Sequence, residues 1–530
     1  MKRKKRLLFG FFSENMSYSA SILSSLAIEK GWNVDLQFFG VFANDENIIK
    51  AISESRPDLV ALTFKTLERK KAFQVARIAK AAGHKVICGG IHPSVCPNDV
   101  QSTGSFDAIV IGDGMGVFAE LLDGYTHLNG DIIHGRKHSD LRLYTKRYFS
   151  QSQKERMKNS QTYEVLTSMG CPFNCYFCST NTKFLELPIE AVAEDILAAK
   201  NNFNIEKISI VDNTFTFSLE RLKTFNKFLK KNELRFAFHL NGRVDCFNDK
   251  IAEELASFGT EDANFGIETA SQKLLDFINK QATVEDAYRA AEICKKHSLS
   301  FKISLMFGLP TQDKTDYETT LRFVKEVQPD SIHTYYFAPF PGTYLFKYCL
   351  ENGYFPENFS LDNFFDIDET SPNFKGFRQE AGMLKNIDYA MATEYMNKIM
   401  ELENKRKDAV IIKRITMADK EPWILFGSGD YFYRVLERLS AKKWKNCLGY
   451  YDIFEDKYKE RTFFLSLPRY DLYKSTDRPQ TAVVTTHFGH VFNTTVLALL
   501  RNKLHFNGKI ISVSTQEQRE GFLTSSSGKA

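Results

Sequence analysis

Cys171, Cys175 and Cys178 form a C-x3-C-x2-C run directly after Met169-Gly170, and nowhere else in the chain are soft metal ligands so concentrated. Three thiolates at that spacing can converge from one loop onto a soft metal centre. A structural zinc site wants four protein ligands, and the next candidates, His239 and Cys246, lie far along the chain. An iron–sulfur cubane held by three thiolates instead leaves one iron without a protein ligand, where a small chelating molecule can bind. The other cysteines are dispersed and the total of nine is odd, which argues against a disulfide framework.

The elements that must position this loop can be read from periodicity. Between 161 and 350, candidate strands at Tyr163–Thr167, Lys207–Val211, Phe236–Leu240, Asn264–Ile267, Phe301–Phe307 and Ser331–Tyr336 alternate with helical stretches. Six βα repeats are the rhythm of a partial (β/α)6 TIM-type barrel, with chemistry at the C-terminal strand ends. The triplet follows the first of these strands. Upstream, residues 1–125 alternate strands at Leu7–Phe12, Asn33–Phe39, Leu59–Thr63, Lys85–Cys88 and Ala108–Ile111 with helices, a doubly wound, Rossmann-like α/β domain. Gly89-Gly90-Ile91-His92-Pro93-Ser94 follows one of its strands and Gly112-Asp113-Gly114 ends the next. Turns of this kind let a ligand approach the backbone at the sheet's C-terminal edge.

The remaining segments carry less. Residues 126–160 are polar and basic with little periodicity, and read as a linker that wraps rather than folds. Residues 351–415 read as a crossover and helical linker, whose Phe-rich part near 355–377 either lines an apolar pocket or packs between domains. A small C-terminal α/β domain is expected over 416–520, ahead of a disordered tail at 521–530. Its Gly427-Ser428-Gly429 turn suits either a phosphate at a helix N-terminus or tight packing, with Phe432 where a third glycine would stand. His487 and His490 lie near a strand end.

Composition excludes other classes. Lys plus Arg exceed Asp plus Glu by 70 to 65, and +5 on 530 residues is too even to point to a nucleic-acid partner. No apolar run is long enough to span a membrane. The basic start followed by Leu7–Phe12 stops at Ser13-Glu14. It reads as a first strand behind a basic cap rather than a signal peptide, and the cytoplasm is the expected location.

The triplet, with Phe177 before its last cysteine, resembles the signature of the radical S-adenosylmethionine (SAM) superfamily, and the resemblance runs over roughly 160–350. It implies a 4Fe–4S cluster on Cys171, Cys175 and Cys178 whose open iron is chelated by SAM. An electron from a reductant such as flavodoxin or ferredoxin then yields a 5′-deoxyadenosyl radical that abstracts hydrogen from substrate. Asp212-Asn213-Thr214 ends the second barrel strand, where a polar group would face the cofactor or merely cap the next helix. Arg243-Val244-Asp245 resembles an R-V-D element of the subgroup, its alternative being a surface ion pair. Gly266-Ile267-Glu268-Thr269 is similar to the family's G-I-E-S, whose carboxylate contacts SAM. Gly308-Leu309-Pro310 and Pro341-Gly342-Thr343 match turns closing the fifth and sixth strands, with backbone geometry as their expected role. Thr311-Gln312-Asp313 departs from the family's G-E-T, so that loop is expected to be shaped differently.

The N-terminal motifs resemble the G-G-x-H-P and I-G-E-G elements of cobalamin-binding domains fused to such barrels. The resemblance implies cobalamin between domain and barrel, with Gly89, Gly90, His92, Gly112 and Gly114 at its site. Two departures stand out. The D-x-H-x-x-G element is absent, since the loop reads Phe12-Ser13-Glu14-Asn15-Met16, so no histidine from it is expected to ligate cobalt. His92 is expected to be structural more than ligating. Asp113-Gly114-Met115 replaces E-G-E.

The expected function is a cobalamin-dependent radical SAM enzyme that methylates an unactivated carbon of a small-molecule or lipid-like substrate, the cofactors carrying the hard chemistry. No catalytic side chain is singled out. The alternatives are ring formation, oxidation or C–C coupling with the same cofactors, and a non-catalytic cobalamin or Fe–S sensor, which would have no need of Glu268 and Arg243. A tRNA methylthiotransferase fits less well, because the N-terminal region has only Cys88 and Cys96 and no basic RNA-binding tail follows the barrel.

Overall fold

The computed structural model describes residues 3–12, 17–40, 43–180, 183–365 and 384–418, and four further strands between 423 and 514. It divides into two units, Met1–Met396 and Asn397–Ala530.

The first unit holds two parallel six-stranded sheets. In the first, β1 (Arg6–Phe11), β2 (Asn33–Phe38), β3 (Leu59–Thr63), β4 (Lys85–Gly89), β5 (Ala108–Ile111) and β6 (Asp131–His134) lie in the order β2-β1-β3-β4-β5-β6. The near-continuous apolar runs of β1 and β3 are buried along most of their length, as strands covered on both faces require. The order reverses between β1 and β3, and such a switch point opens a crevice outside the C-terminal strand ends.

In the second sheet, β7 (Thr162–Val165) is followed by a small antiparallel pair, β8 (Ser168–Met169) and β9 (Leu185–Glu186). The sheet then continues through β10 (Lys207–Ile210), β11 (Ala237–Gly242), β12 (Thr260–Glu268), β13 (Ser300–Phe307) and β14 (Ser331–Tyr336). These six strands pair in chain order from β7 to β14, the arrangement of an incomplete TIM-type barrel. Along β12 the side chains alternate. Ala263, Phe265 and Ile267 are buried on one face, where Phe265 packs on Phe247 and Phe301. Asp262 and Asn264 occupy the other, bonded to His239 and Asn241 of β11.

The stretch 126–160 does not run as a linker. β6 extends the first sheet, with Ala108 opposite Asp131 and Ile111 opposite His134. Gln151–Ser160 is a helix whose start is closed by a capping box between Ser150 and Gln153. Neither element announces itself. β6 is a four-residue edge strand without a buried residue, and the helix offers only Met157 as a large apolar anchor. Arg147, between them, is a buried cation that pairs with Asp195 at 2.7 Å and stacks over Tyr18 and Tyr163 at 4.5 and 4.3 Å.

The Phe-rich crossover is packing over its described part. Phe355, Phe364 and Phe365 join Leu274, Met306, Phe337 and Leu345 in one buried core. Residues 366–377 lie outside the described residues, as does the loop 13–16.

In the second unit, β15 (Trp423–Gly427), β16 (Cys447–Asp452), β17 (Thr481–Thr486) and β18 (Lys509–Ser514) form a parallel sheet in the order β16-β15-β17-β18. Ser428, Gly429, His487, His490 and the tail 521–530 lie outside the described residues. Among the described residues no helix is long and apolar enough to cross a membrane.

Candidate functional site

The cysteine loop leaves β8 through Gly170, whose φ of 72° is a left-handed turn that favours glycine. Its neighbours hold it from two sides. On the β10 side, the Thr214 hydroxyl lies 3.9 Å from Cys171 Sγ, and the Asn213 amide donates to the Gly170 carbonyl at 2.9 Å. On the other, the turn after the helix Gln272–Phe277 clamps the loop. Ile278 O accepts from the Tyr176 amide at 2.9 Å, and the Asn279 side chain donates to Asn174 O at 2.8 Å.

Asp212, expected either to face the cofactor or to cap the next helix, bonds to the segment that follows β7. The residue is 1% exposed, and its carboxylate accepts from the Thr167 amide, the Thr167 hydroxyl and the Ser168 hydroxyl at 2.5–2.6 Å. Burial pushes its carboxyl above the usual range, against those hydrogen bonds. Asp212 therefore ties β10 to the segment that delivers the cysteines.

Arg243, just beyond β11, is buried and not a surface ion pair. Its guanidinium holds Asp245 through Nε and Nη2 at 3.0 and 3.1 Å, covers Phe173 at 3.7 Å, and points Nη1 at Cys175 Sγ, 3.4 Å away. Its backbone N–H donates to the Thr216 hydroxyl. Glu268 ends β12 with a φ of 66°, a left-handed conformation uncommon outside glycine, and its carboxylate meets the Lys280 ammonium at 2.8 Å. Lys280, absent from the sequence reading, is itself buried. Its Nζ lies 5.7 Å from the Phe177 ring, and its carbonyl accepts from Arg243 Nη2. Nothing in the string Asn279-Lys280-Gln281 marks a buried cation. The signal is tertiary, although Asn279 and Gln281 both take positive φ.

The three cysteines thus sit on one clamped loop beside two buried cations. Burial pushes the Cys175 thiol up, while Lys280 and Arg243 pull it down. Among the described residues no three His, Cys, Asp or Glu side chains are gathered as one metal ion would need. A cubane asks for a different geometry, since each thiolate takes its own iron. Soft donors with cationic neighbours fit such a cluster.

At the first sheet, His92 is fully buried. Nδ1 meets the Thr66 hydroxyl at 3.2 Å and Nε2 meets Asp99 at 2.9 Å. The resemblance places it among cobalamin contacts, but both its ring nitrogens are committed to protein. Gly90 has a φ of 109°, and a Cβ there would stand 2.8 Å from Phe64 O. Ser94 joins the two glycine turns, donating to Gly90 O at 2.7 Å and accepting from the Gly112 amide at 2.9 Å. Nothing lies within 4 Å of where a Gly112 Cβ would be, so this edge is open to a ligand. Gly89 closes β4 beside Val110, and Gly114 precedes the helix Met115–Gly124. Asp113 accepts from the Met115 amide and from the Tyr144 hydroxyl.

The two strand-end faces meet. Leu67, after β3, packs on the same apolar core as Tyr176 and Phe177. A Cβ on Gly342 of the Pro341-Gly342-Thr343 turn would stand 2.7 Å from Val95, which ends the helix following Gly90. That turn therefore does more than set backbone geometry. It lets the two folds touch.

These two parallel-sheet folds, one with a glycine-rich open edge and one with a cysteine triplet at its mouth, are a B12-binding domain and a radical SAM domain. Family models match accordingly: the B12 binding domain over 16–122 and the Radical SAM superfamily over 165–324. The chain is therefore an enzyme that joins a B12-binding domain to a Radical SAM domain, with a 4Fe–4S cluster, SAM and cobalamin as its cofactors. It is 29% identical over 331 residues to an uncharacterized methyltransferase of Pyrococcus horikoshii, spanning 58% of this chain and 72% of that one. It is 26% identical to the bacteriochlorophyllide d C-12(1)-methyltransferase of Chlorobaculum tepidum, spanning 59% and 70%. In fold it is similar to the radical SAM methyltransferase TsrM of Kitasatospora setae, solved with cobalamin and an iron–sulfur cluster, at a TM-score of 0.55 and 16% identity over 66% of this chain and 75% of that one.

Proposed function

We propose that the protein transfers a methyl group to an unactivated carbon of a small-molecule or lipid-like substrate, drawing electrons from a flavodoxin- or ferredoxin-type reductant. The observation that carries this reading is the abutment of the two strand-end faces, where Leu67 and Phe177 pack on one apolar core and Val95 stands against Gly342, because methyl donor and radical must meet on one carbon. The methyltransferase relatives support it. When bound, cluster and SAM supply a radical able to break an inert C–H bond, and cobalamin supplies the methyl group.

The chain's own residues bind and orient. Cys171, Cys175 and Cys178 hold the cluster, and Arg243 donates to the Cys175 sulfur. Glu268 presents its carboxylate from a strained strand end. Phe177 packs against the apolar core that holds Leu345 and Phe355, which anchors the loop from below. Gly89, Gly90, Gly112 and Gly114 form the edge offered to cobalamin, with His92 bracing it from beneath.

The test is methyl-labelled SAM supplied to anaerobically reconstituted protein with candidate substrates and a strong reductant. Label in the product supports methyl transfer. Turnover with 5′-deoxyadenosine released but no label in product overturns it in favour of ring formation or oxidation. Cys175→Ala should lose the brown chromophore and all SAM cleavage.

A further inference from the structure

We propose that Lys280 is the internal counter-charge of the cysteine loop, a positioning residue that biases the bound cluster toward its reduced form. The proposal rests on the reading that the triplet holds a cluster.

A lysine buried to 5% exposure is rare without a partner, and Lys280 has one in Glu268 at 2.8 Å. Ion pairing alone does not explain its placement. Asn279 and Gln281, on either side, adopt φ of 50° and 56°, so the chain takes two left-handed residues to bring Lys280 here. The same turn grips the cysteine loop through Ile278 O and the Asn279 amide. The Lys280 ammonium stands 5.7 Å from the Phe177 ring, next to Cys178 in sequence. Its carbonyl orients Arg243, which donates onward to Cys175 Sγ. One residue thus sets a point charge beside the loop and aims a second cation at a ligand sulfur.

A cluster on three thiolates is anionic, and one-electron reduction by the external reductant adds a further negative charge. Nearby buried cations and hydrogen bonds to sulfur stabilise the reduced form and raise the potential. Glu268 compensates Lys280 in net charge through its bond to Nζ, while the ammonium itself is the charge that neighbours the loop, 5.7 Å from the Phe177 ring.

The experiment is a viologen-mediated, EPR-monitored redox titration of the full chain after anaerobic reconstitution, with iron and sulfide counted. Lys280→Met should keep native iron content while its reduced-to-oxidised ratio at a fixed potential falls about tenfold, equivalent to about 59 mV for one electron. Lys280→Arg should stay near native. A native midpoint in Lys280→Met overturns the proposal. Should that variant fail to fold because Glu268 is orphaned, Lys280→Gln keeps an N–H donor for its carboxylate while still removing the positive charge. A lowered midpoint there supports the proposal, and a native midpoint or loss of the cluster overturns it. Absence of any cluster in the unaltered protein would instead reject the reading beneath it.

Discussion

Glu268, Asp212 and His92 show how differently three buried polar side chains can be used. Glu268 carries a left-handed backbone at φ 66°, a conformation that costs roughly 1–3 kcal/mol and persists only where surroundings over-determine it. Its carboxylate has one protein partner, Lys280, and so retains acceptor capacity for a ligand. Asp212 spends its capacity on Thr167 and Ser168, and His92 on Thr66 and Asp99. Sequence motifs name all three alike, because a motif records residue type and not where the lone pairs go. The difference is testable at His92. Replacing it with Ala takes the ring from Thr66, leaves Asp99 with Arg69 alone and opens a cavity, and should destabilise the protein by about 2–4 kcal/mol in urea unfolding. The cobalamin absorbance of the folded variant should match the native spectrum. A spectral change typical of a lost axial ligand would assign His92 to cobalt instead.

At the scale of elements, most strands were legible because their apolar runs are bounded by glycine and polar turns. Leu59–Thr63 and Ser331–Tyr336 appear as expected. β12 runs from Thr260 and not from Asn264, because Asp262 is stabilised in the strand by His239 and Lys302 on neighbouring strands. No local pattern encodes that. Thr311, where the family places glycine, has a φ of 68°, and Asp313 caps the helix Lys314–Val327. The altered loop therefore still turns and still starts its helix. The Pro341-Gly342-Thr343 turn is the element most exposed to test. Gly342→Ala adds a Cβ against Val95 at a φ of 82° and should cost about 1–3 kcal/mol. Adding Val95→Ala should recover the steric part and leave the backbone part. Equal stability of Gly342→Ala and native protein in urea would mean that the contact is loose.

For the molecule as a whole, acid should act through a specific set of carboxylates. Asp262 is held below the usual range, where the hydrogen bond from His239 and the Lys302 charge outweigh burial, and Asp99 and Asp107 are held low by comparable cationic partners. A carboxyl whose folded pKa is depressed contributes stability above its unfolded pKa of about 4, and that contribution is lost as pH falls through the folded pKa. Asp212, Glu68 and Glu164 have the opposite sign, since burial raises them and protonation favours the folded state. The urea midpoint should therefore hold or rise slightly on mild acidification, then fall below about pH 4. Asp262→Asn should be less stable than native protein at pH 7, with the gap closing as pH drops. A gap that stays constant to pH 3 would remove Asp262 from the account.

What the amino-acid sequence determined alone is local: the thiol spacing on one loop, the glycine turns after strands, the βα rhythm of both sheets. Each depends on residues a few positions apart. The tertiary structure decided which polar groups remain available and which are consumed, that Arg147 and β6 make a framework of an apparent linker, and that Lys280 stands beside the cysteines. These depend on burial and on partners distant in the chain, and a charge alters its role when water is replaced by protein.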